Sequence, residues 1–245
     1  MLAATAALLV ATAAIAGVVV GANGFGFAVV ATAGAALVVA PAEAVTLMII
    51  PLLAANLRLA GTIDAAQLRV CLRRFGPFLA AAAGGTVAGM LALTAVPTGL
   101  LRGGLGVLTL GYVATQTRWM RTPVVSDARH RIVGPPVAAV GGVVFGASNV
   151  GVQLVAYLDA LRIDDRLRVG VFALVFGGIG LVRIAVAGAS GLYADATQLA
   201  LSVGLVAPAL AGVWVGVRLR GRLPRRLRRR ATQLLLVAIG LRLLL

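Results

Sequence analysis

Two polar interruptions in an otherwise apolar chain carry the residues best suited to hold a ligand. The first is Asn23-Gly24-Phe25-Gly26; the second is Ser148-Asn149-Val150-Gly151, with Gln153 just beyond. Both lie between apolar stretches, so each reads as a break, with a short helix restarting at Phe27 and at Val152. A helix that begins inside a membrane directs unpaired N–H groups and the positive end of its dipole at the break. Asn23, Ser148, Asn149 and Gln153 add neutral side-chain donors. Such a set suits a small oxyanion and needs no buried cation. The other use of small residues is close helix packing, and Gly17/Gly21 and Gly142/Gly146 have the four-residue spacing for it.

Arg58 and Arg183 fall at matching places late in two apolar segments. An ionised group in a span is a functional candidate, drawing anions to the two mouths of a pathway. Equally, each could snorkel to its own headgroup layer. Asp159, late in the second short helix, could relay protons for coupling or mark the interface near Arg162. No catalytic set emerges. The single His, His130, sits in a basic stretch and reads as neither ligand nor base, and the single Cys, Cys71, reads as an inert surface or interfacial thiol. No paired carboxylates or phosphate loop stand out, so no enzyme, metal or cofactor is expected.

The two breaks belong to a repeat. Shifting the chain by 125 residues lays Gly142–Val152 under Gly17–Phe27, and the register holds without a gap to Ala60 over Ala185. Gly17/Gly142, Gly21/Gly146, Ala22/Ala147, Gly26/Gly151 and Arg58/Arg183 are identical pairs. Each half then reads as four segments in the same order. The broken segment spans 11–39 and 135–161. Three further segments follow at 44–60, 75–95 and 100–117, matched by 169–187, 197–217 and 231–245. The first 16 residues lack a basic start and are expected to belong to the folded protein rather than to a signal peptide.

The chain is 61% hydrophobic with a mean hydropathy of +1.04. Soluble domains average roughly 45–50% apolar, and a span needs about 20 apolar residues. This is therefore an all-α polytopic membrane protein. Its net charge of +15 comes from 22 arginines and no lysine. The arginines cluster between apolar segments, where they orient the chain and meet anionic lipid headgroups, so nucleic acid is not expected as a partner.

Those clusters set the topology. Arg69, Arg73 and Arg74 lie in a 61–74 loop, Arg118, Arg121, Arg129 and Arg131 in a 118–134 linker, and eight arginines between Arg218 and Arg230. Equivalent loops in the two halves have opposite character, so the halves are expected to be inverted, with basic loops cytoplasmic. Inversion requires an odd number of crossings per half. The broken segment must then be a re-entrant hairpin beside three full spans, with both breaks near the midplane. The domains are thus 1–117, a basic cytoplasmic linker at 118–134, and 135–245.

With these motifs the chain resembles the sulfite exporter TauE/SafE family of small prokaryotic anion permeases. Gly21-Ala22-Asn23-Gly24-Phe25-Gly26 fills that family's first Gly-rich break, and Gly146 to Leu158, with its Tyr157-Leu158 pair, fills the second. Phe25 interrupts a glycine run, and Gln153 stands where the family has proline. The resemblance implies an exporter of sulfite or an organosulfonate, working by alternating access in a prokaryotic cell membrane. A passive anion channel and a non-transporting subunit of a membrane complex are the other readings. Homo-oligomerisation stays open.

Overall fold

The computed structural model describes residues 2–24, 26–60, 65–115, 126–161, 163 and 171–245. The described residues form helices and turns, without a strand. In chain order the helices are α1 (Leu2–Asn23), α2 (Phe27–Ala35), α3 (Pro41–Leu47), α4 (Ile49–Ala60), α5 (Ala65–Ala92), α6 (Thr98–Thr115), α7 (Asp127–Ser148) and α8 (Val152–Ala160). A π-helical turn, Ala173–Gly177, leads into α9 (Gly178–Ala189), followed by α10 (Ala196–Gly204), α11 (Val206–Arg222) and α12 (Arg225–Leu244).

Among the described residues, five helical stretches are long and apolar enough to cross a membrane: Ala4–Asn23, Pro41–Arg58, Leu68–Ala92, Arg129–Ser148 and Ala196–Arg222. The outer surface is apolar as well; Leu100, Ile132, Val140 and Leu234 are all more than two-thirds exposed. In water such a surface would aggregate, whereas lipid tails solvate it.

The helix order runs twice. Helices α1 and α2 are followed 125 residues later by α7 and α8, with identical lengths of 22 and 9 residues. The α3–α4 junction at Met48 has its counterpart in the π-helical turn that starts at Ala173. Helices α5 and α6 correspond to α10–α11 and α12.

Packing obeys the same correspondence. A Cβ on Gly17 or Gly21 would overlap the carbonyl oxygens of Ala209 or Val213 on α11, and one on Gly212 or Gly216 would overlap those of Ala14 or Val18 on α1. The second pairing copies the first: Gly142 and Gly146 of α7 lie on Ala82 and Thr86 of α5, and Gly85 and Gly89 of α5 lie on Ala139 and Val143. Both pairs run parallel, with bare backbone touching bare backbone as small-residue motifs allow. The α6–α12 pair runs antiparallel, since Gly106 meets Leu244 while Leu110 meets Gly240.

Several segment boundaries differ from the expected ones, for one reason. The basic stretches are helical rather than looped where described: α5 begins at Ala65, α7 at Asp127, and only Leu223 and Pro224 separate α11 from α12. Arginine is a good helix former, and past the hydrocarbon its charge is solvated, so a span continues into water. Ser126 caps α7 by accepting the Arg129 N–H at 3.4 Å. Pro77 lies inside α5 and Pro135 and Pro136 inside α7, so the second broken segment starts before residue 135. The basic group from Arg162 to Arg168, Arg118, Arg121 and Asp64 lie outside the described residues.

Cys71, expected at the surface or interface, and His130, expected in a basic loop, are both buried. Cys71 is buried in the main apolar cluster. His130 is also buried, packed against Phe75 and Phe78 and hydrogen-bonded through Nδ1 to the Tyr157 hydroxyl at 3.1 Å. The basic stretch around it is the first turn of α7, and a helix turn has an inward face even where its neighbours are charged.

Candidate anion site at the second helix break

Helix α7 ends at Ser148, whose hydroxyl donates back to the Val144 carbonyl at 2.5 Å and accepts the Val150 N–H at 3.1 Å. Asn149 then turns the chain with φ 61°, the left-handed conformation that asparagine tolerates better than other side chains. Its matching residue in the first break is Gly24, with φ 84°. The Asn149 side chain is fully buried; Nδ2 donates to Thr32 Oγ1 of α2 at 2.9 Å and to the Val45 carbonyl of α3 at 2.8 Å. Gln153 donates through Nε2 to the carbonyls of Gly141 and Val150. The donors of Ser148, Asn149 and Gln153 therefore tie the break together and tie it to the first half.

Helix α8 starts at Val152 with no side-chain cap on its first turn. At about 1.5 Å per residue its nine residues run roughly 13 Å, under half of a hydrocarbon core about 30 Å thick. The close fit at its start is steric: a Cβ on Gly151, which has an ordinary φ of −97°, would sit 2.7 Å from Phe176 Cε1 and 3.1 Å from Phe145 Cδ2. The Phe145 and Phe176 rings meet edge to face at 5.7 Å.

Over Phe145 lies the guanidinium of Arg183, with Cζ 5.0 Å from the ring centroid. Arg183 is 1% exposed, and its Nε and Nη2 have no hydrogen-bond partner. A third buried side-chain atom without a partner is Asn149 Oδ1, and these three are the full set among the described residues. The site thus contains a buried cation, contrary to the expectation of neutral donors alone.

Arg58, the sequence equivalent of Arg183, is exposed two residues before the end of α4. Arg183 lies on the buried side of α9 with Ile179, Gly180 and Ala187. The equivalence visible in sequence does not extend to environment. Asp159 is exposed, one residue before the end of α8.

The first break has a different setting. Asn23 and Gly24 are exposed, Gly26 is buried with φ 110°, and Phe25 and Val150 complete the two predicted sets, Phe25 lying outside the described residues and Val150 being fully buried. Asn23 Nδ2 donates to Thr232 Oγ1 at 3.0 Å, and Arg220 and Arg228 both donate to the Ala22 carbonyl. This break therefore abuts the basic end of α11 and the start of α12. Helix α2, which follows it, is buried along all nine residues. The two breaks are linked through the Asn149 hydrogen bond to Thr32 of α2.

Sequence reasoning missed Thr32, Val45, Phe145 and Phe176. It also missed a set of polar side chains that close the α3–α4 junction. Tyr193 donates to the Thr46 carbonyl and Ser202 to the Leu47 carbonyl, beside the Val45 carbonyl taken by Asn149. A lone Thr, Tyr or Ser in an apolar segment signals such a role only weakly.

The family model described as Sulfite exporter TauE/SafE covers residues 9–243, nearly the whole chain. No curated protein and no solved structure matches.

Proposed function

The chain belongs to the sulfite exporter TauE/SafE family, and from that premise we propose that it moves a small sulfur oxyanion or organosulfonate across a prokaryotic cell membrane by alternating access. The two halves, 1–117 and 135–245, joined by the 118–134 segment, sit inverted in the bilayer. Each contributes a broken helical hairpin, and the halves rock about the region where Asn149, just past the end of α7, meets Thr32 of α2. The observation that carries this reading is the antiparallel pairing of the equivalent helices α6 and α12, together with the copied packing of α1 on α11 and α7 on α5. Inverted repeats give a transporter two states related by a pseudo-two-fold axis from one sequence pattern. The breaks at 23–26 and 148–151, with Gln153, line the substrate path. Arg58, exposed at the end of α4, attracts anions to one mouth, and Asp159 is a candidate for coupling. The arginine-rich helix ends face the cytoplasm and its anionic lipids.

Purified protein in liposomes should accumulate or release sulfite, thiosulfate, sulfoacetate or taurine, with sulfate as comparator, with and without a pH gradient. Flux of none of these under either condition would remove the transporter reading and leave a subunit role. Flux that never exceeds what the gradient of the anion itself drives would favour a channel.

A further inference from the structure

We propose that Arg183 holds the transported anion by direct contact, and that Asn149 Oδ1 accepts a hydrogen bond from the same substrate. This deepens the transport reading and rests on it. Arg183 is 1% exposed, inside an apolar helix, with Nε and Nη2 unpartnered. A buried guanidinium left without partners is strongly destabilising, so something must complete it. Nε and Nη2 form one edge of the guanidinium fork, the edge that takes two oxygens of an oxyanion in parallel hydrogen bonds. The Phe145 ring below fixes the plane of that fork by a cation–π contact. Gly151, at the uncapped start of α8, packs on the same ring, which brings the positive end of the α8 dipole to the same place.

Asn149 lies one helical turn beyond Phe145, and its N–H bonds the Phe145 carbonyl at 2.8 Å. Its amide cannot be reversed, because the Val45 carbonyl can only accept and so requires Nδ2. What remains is a buried acceptor, Oδ1, on the residue one helical turn beyond the ring that carries the unpaired cation edge. An oxyanion without a hydrogen to donate would satisfy Arg183 and leave Asn149 unpaired. The complementary ligand is a sulfur oxyanion with its own O–H or N–H: a singly protonated oxyanion, or a sulfonate bearing a hydroxyl or amino group.

The test uses full-length protein in detergent, with binding read by thermal shift and titration, and flux read in liposomes. The matched probes are 2-hydroxyethanesulfonate and ethanesulfonate, which differ by one hydroxyl. Wild type should bind the hydroxylated probe about 10-fold more tightly. Arg183→Met should weaken binding of both by about 100-fold or more, as loss of paired charge-assisted hydrogen bonds does. It should also raise the melting temperature of the empty protein, because an unpaired buried charge is gone. Arg183→Lys, which keeps the charge but not the fork, should weaken binding at least about 10-fold.

A lower melting temperature with unchanged affinity in Arg183→Met would make Arg183 a structural stacking partner of Phe145 and overturn the proposal. If Arg183→Met does not fold, unchanged affinity in Arg183→Lys overturns it equally. Equal affinity of wild type for the two probes would remove Asn149 from the site. Wild-type flux that survives in both arginine variants would refute this inference while leaving the transporter standing. Wild type that neither binds nor moves any of the sulfonates or sulfite would bring down both.

Discussion

At the scale of residues, the two matching glycines of the breaks are constrained for different reasons. Gly26 has φ 110°, which any L side chain resists. Gly151 has an ordinary φ, but the Phe145 and Phe176 rings occupy the space where its Cβ would go. Alanine at either position should therefore impair transport, yet only one defect should be relieved by making room. Gly151→Ala combined with Phe176→Leu should regain most of the flux that Gly151→Ala alone loses. Gly26→Ala combined with Val19→Ala, which removes the nearest side chain at 3.2 Å, should not recover. Flux assays on the four variants decide it; equal rescue of both would mean that crowding, not backbone conformation, restricts Gly26. The sequence showed that both positions are glycine but not why, because φ and the placing of distant rings are products of the fold. The same limit applies to Arg183. Its type and its repeat partner were legible, but its burial depends on which face of α9 packs inward, and the partner, Arg58, is exposed.

At the scale of elements, neighbouring glycines of α5 offer a sharp comparison. Gly84 has nothing within 4 Å of where a Cβ would go, whereas a Cβ on Gly85 would overlap the Ala139 carbonyl of α7. Gly84→Ala should leave flux intact and stabilise the protein by roughly 0.5–1 kcal/mol, the ordinary gain for removing an interior helical glycine. Gly85→Ala should separate α5 from α7 and lower the melting temperature by several degrees or prevent folding. The same result is expected for Gly212→Ala on α11. Thermal unfolding in detergent checks all three, and a Gly85→Ala protein as stable as wild type would mean that the two helices yield without loss. Helix order could be read from the apolar segments, and close packing from the four-residue glycine spacing. Helix ends could not, since hydropathy marks where the hydrocarbon stops and arginine-rich helices continue beyond it.

At the scale of the molecule, inversion predicts sidedness. Cys71 is the single cysteine and is buried, so a Cys71→Ala background suits labelling. Cysteines at the exposed positions Thr94 and Ala194 should react with an impermeant thiol reagent in intact cells. Cysteines at Ser126 and Arg229, exposed at the basic ends, should react only after permeabilisation. Opposite sidedness for Ser126 and Arg229 would defeat the inverted arrangement. The charge pattern that suggested it was readable because loop arginines act through position alone, with no need of tertiary detail.

The copied glycine contacts also bear on how the protein is made. Neither half packs its own longest helices together: α1 lies on α11 and α5 on α7. Gly17 must wait for Gly212, 195 residues later. At roughly 5–20 residues per second that is about 10–40 seconds of synthesis. Throughout that interval α1 sits in the bilayer with its glycine face against lipid, and α2, buried along its length in the finished protein, has no complete shelter. Assembly therefore closes only when the last quarter of the chain arrives. A ribosome that stalls after the first half leaves a fragment with the wrong surface toward the membrane, open to quality-control proteases.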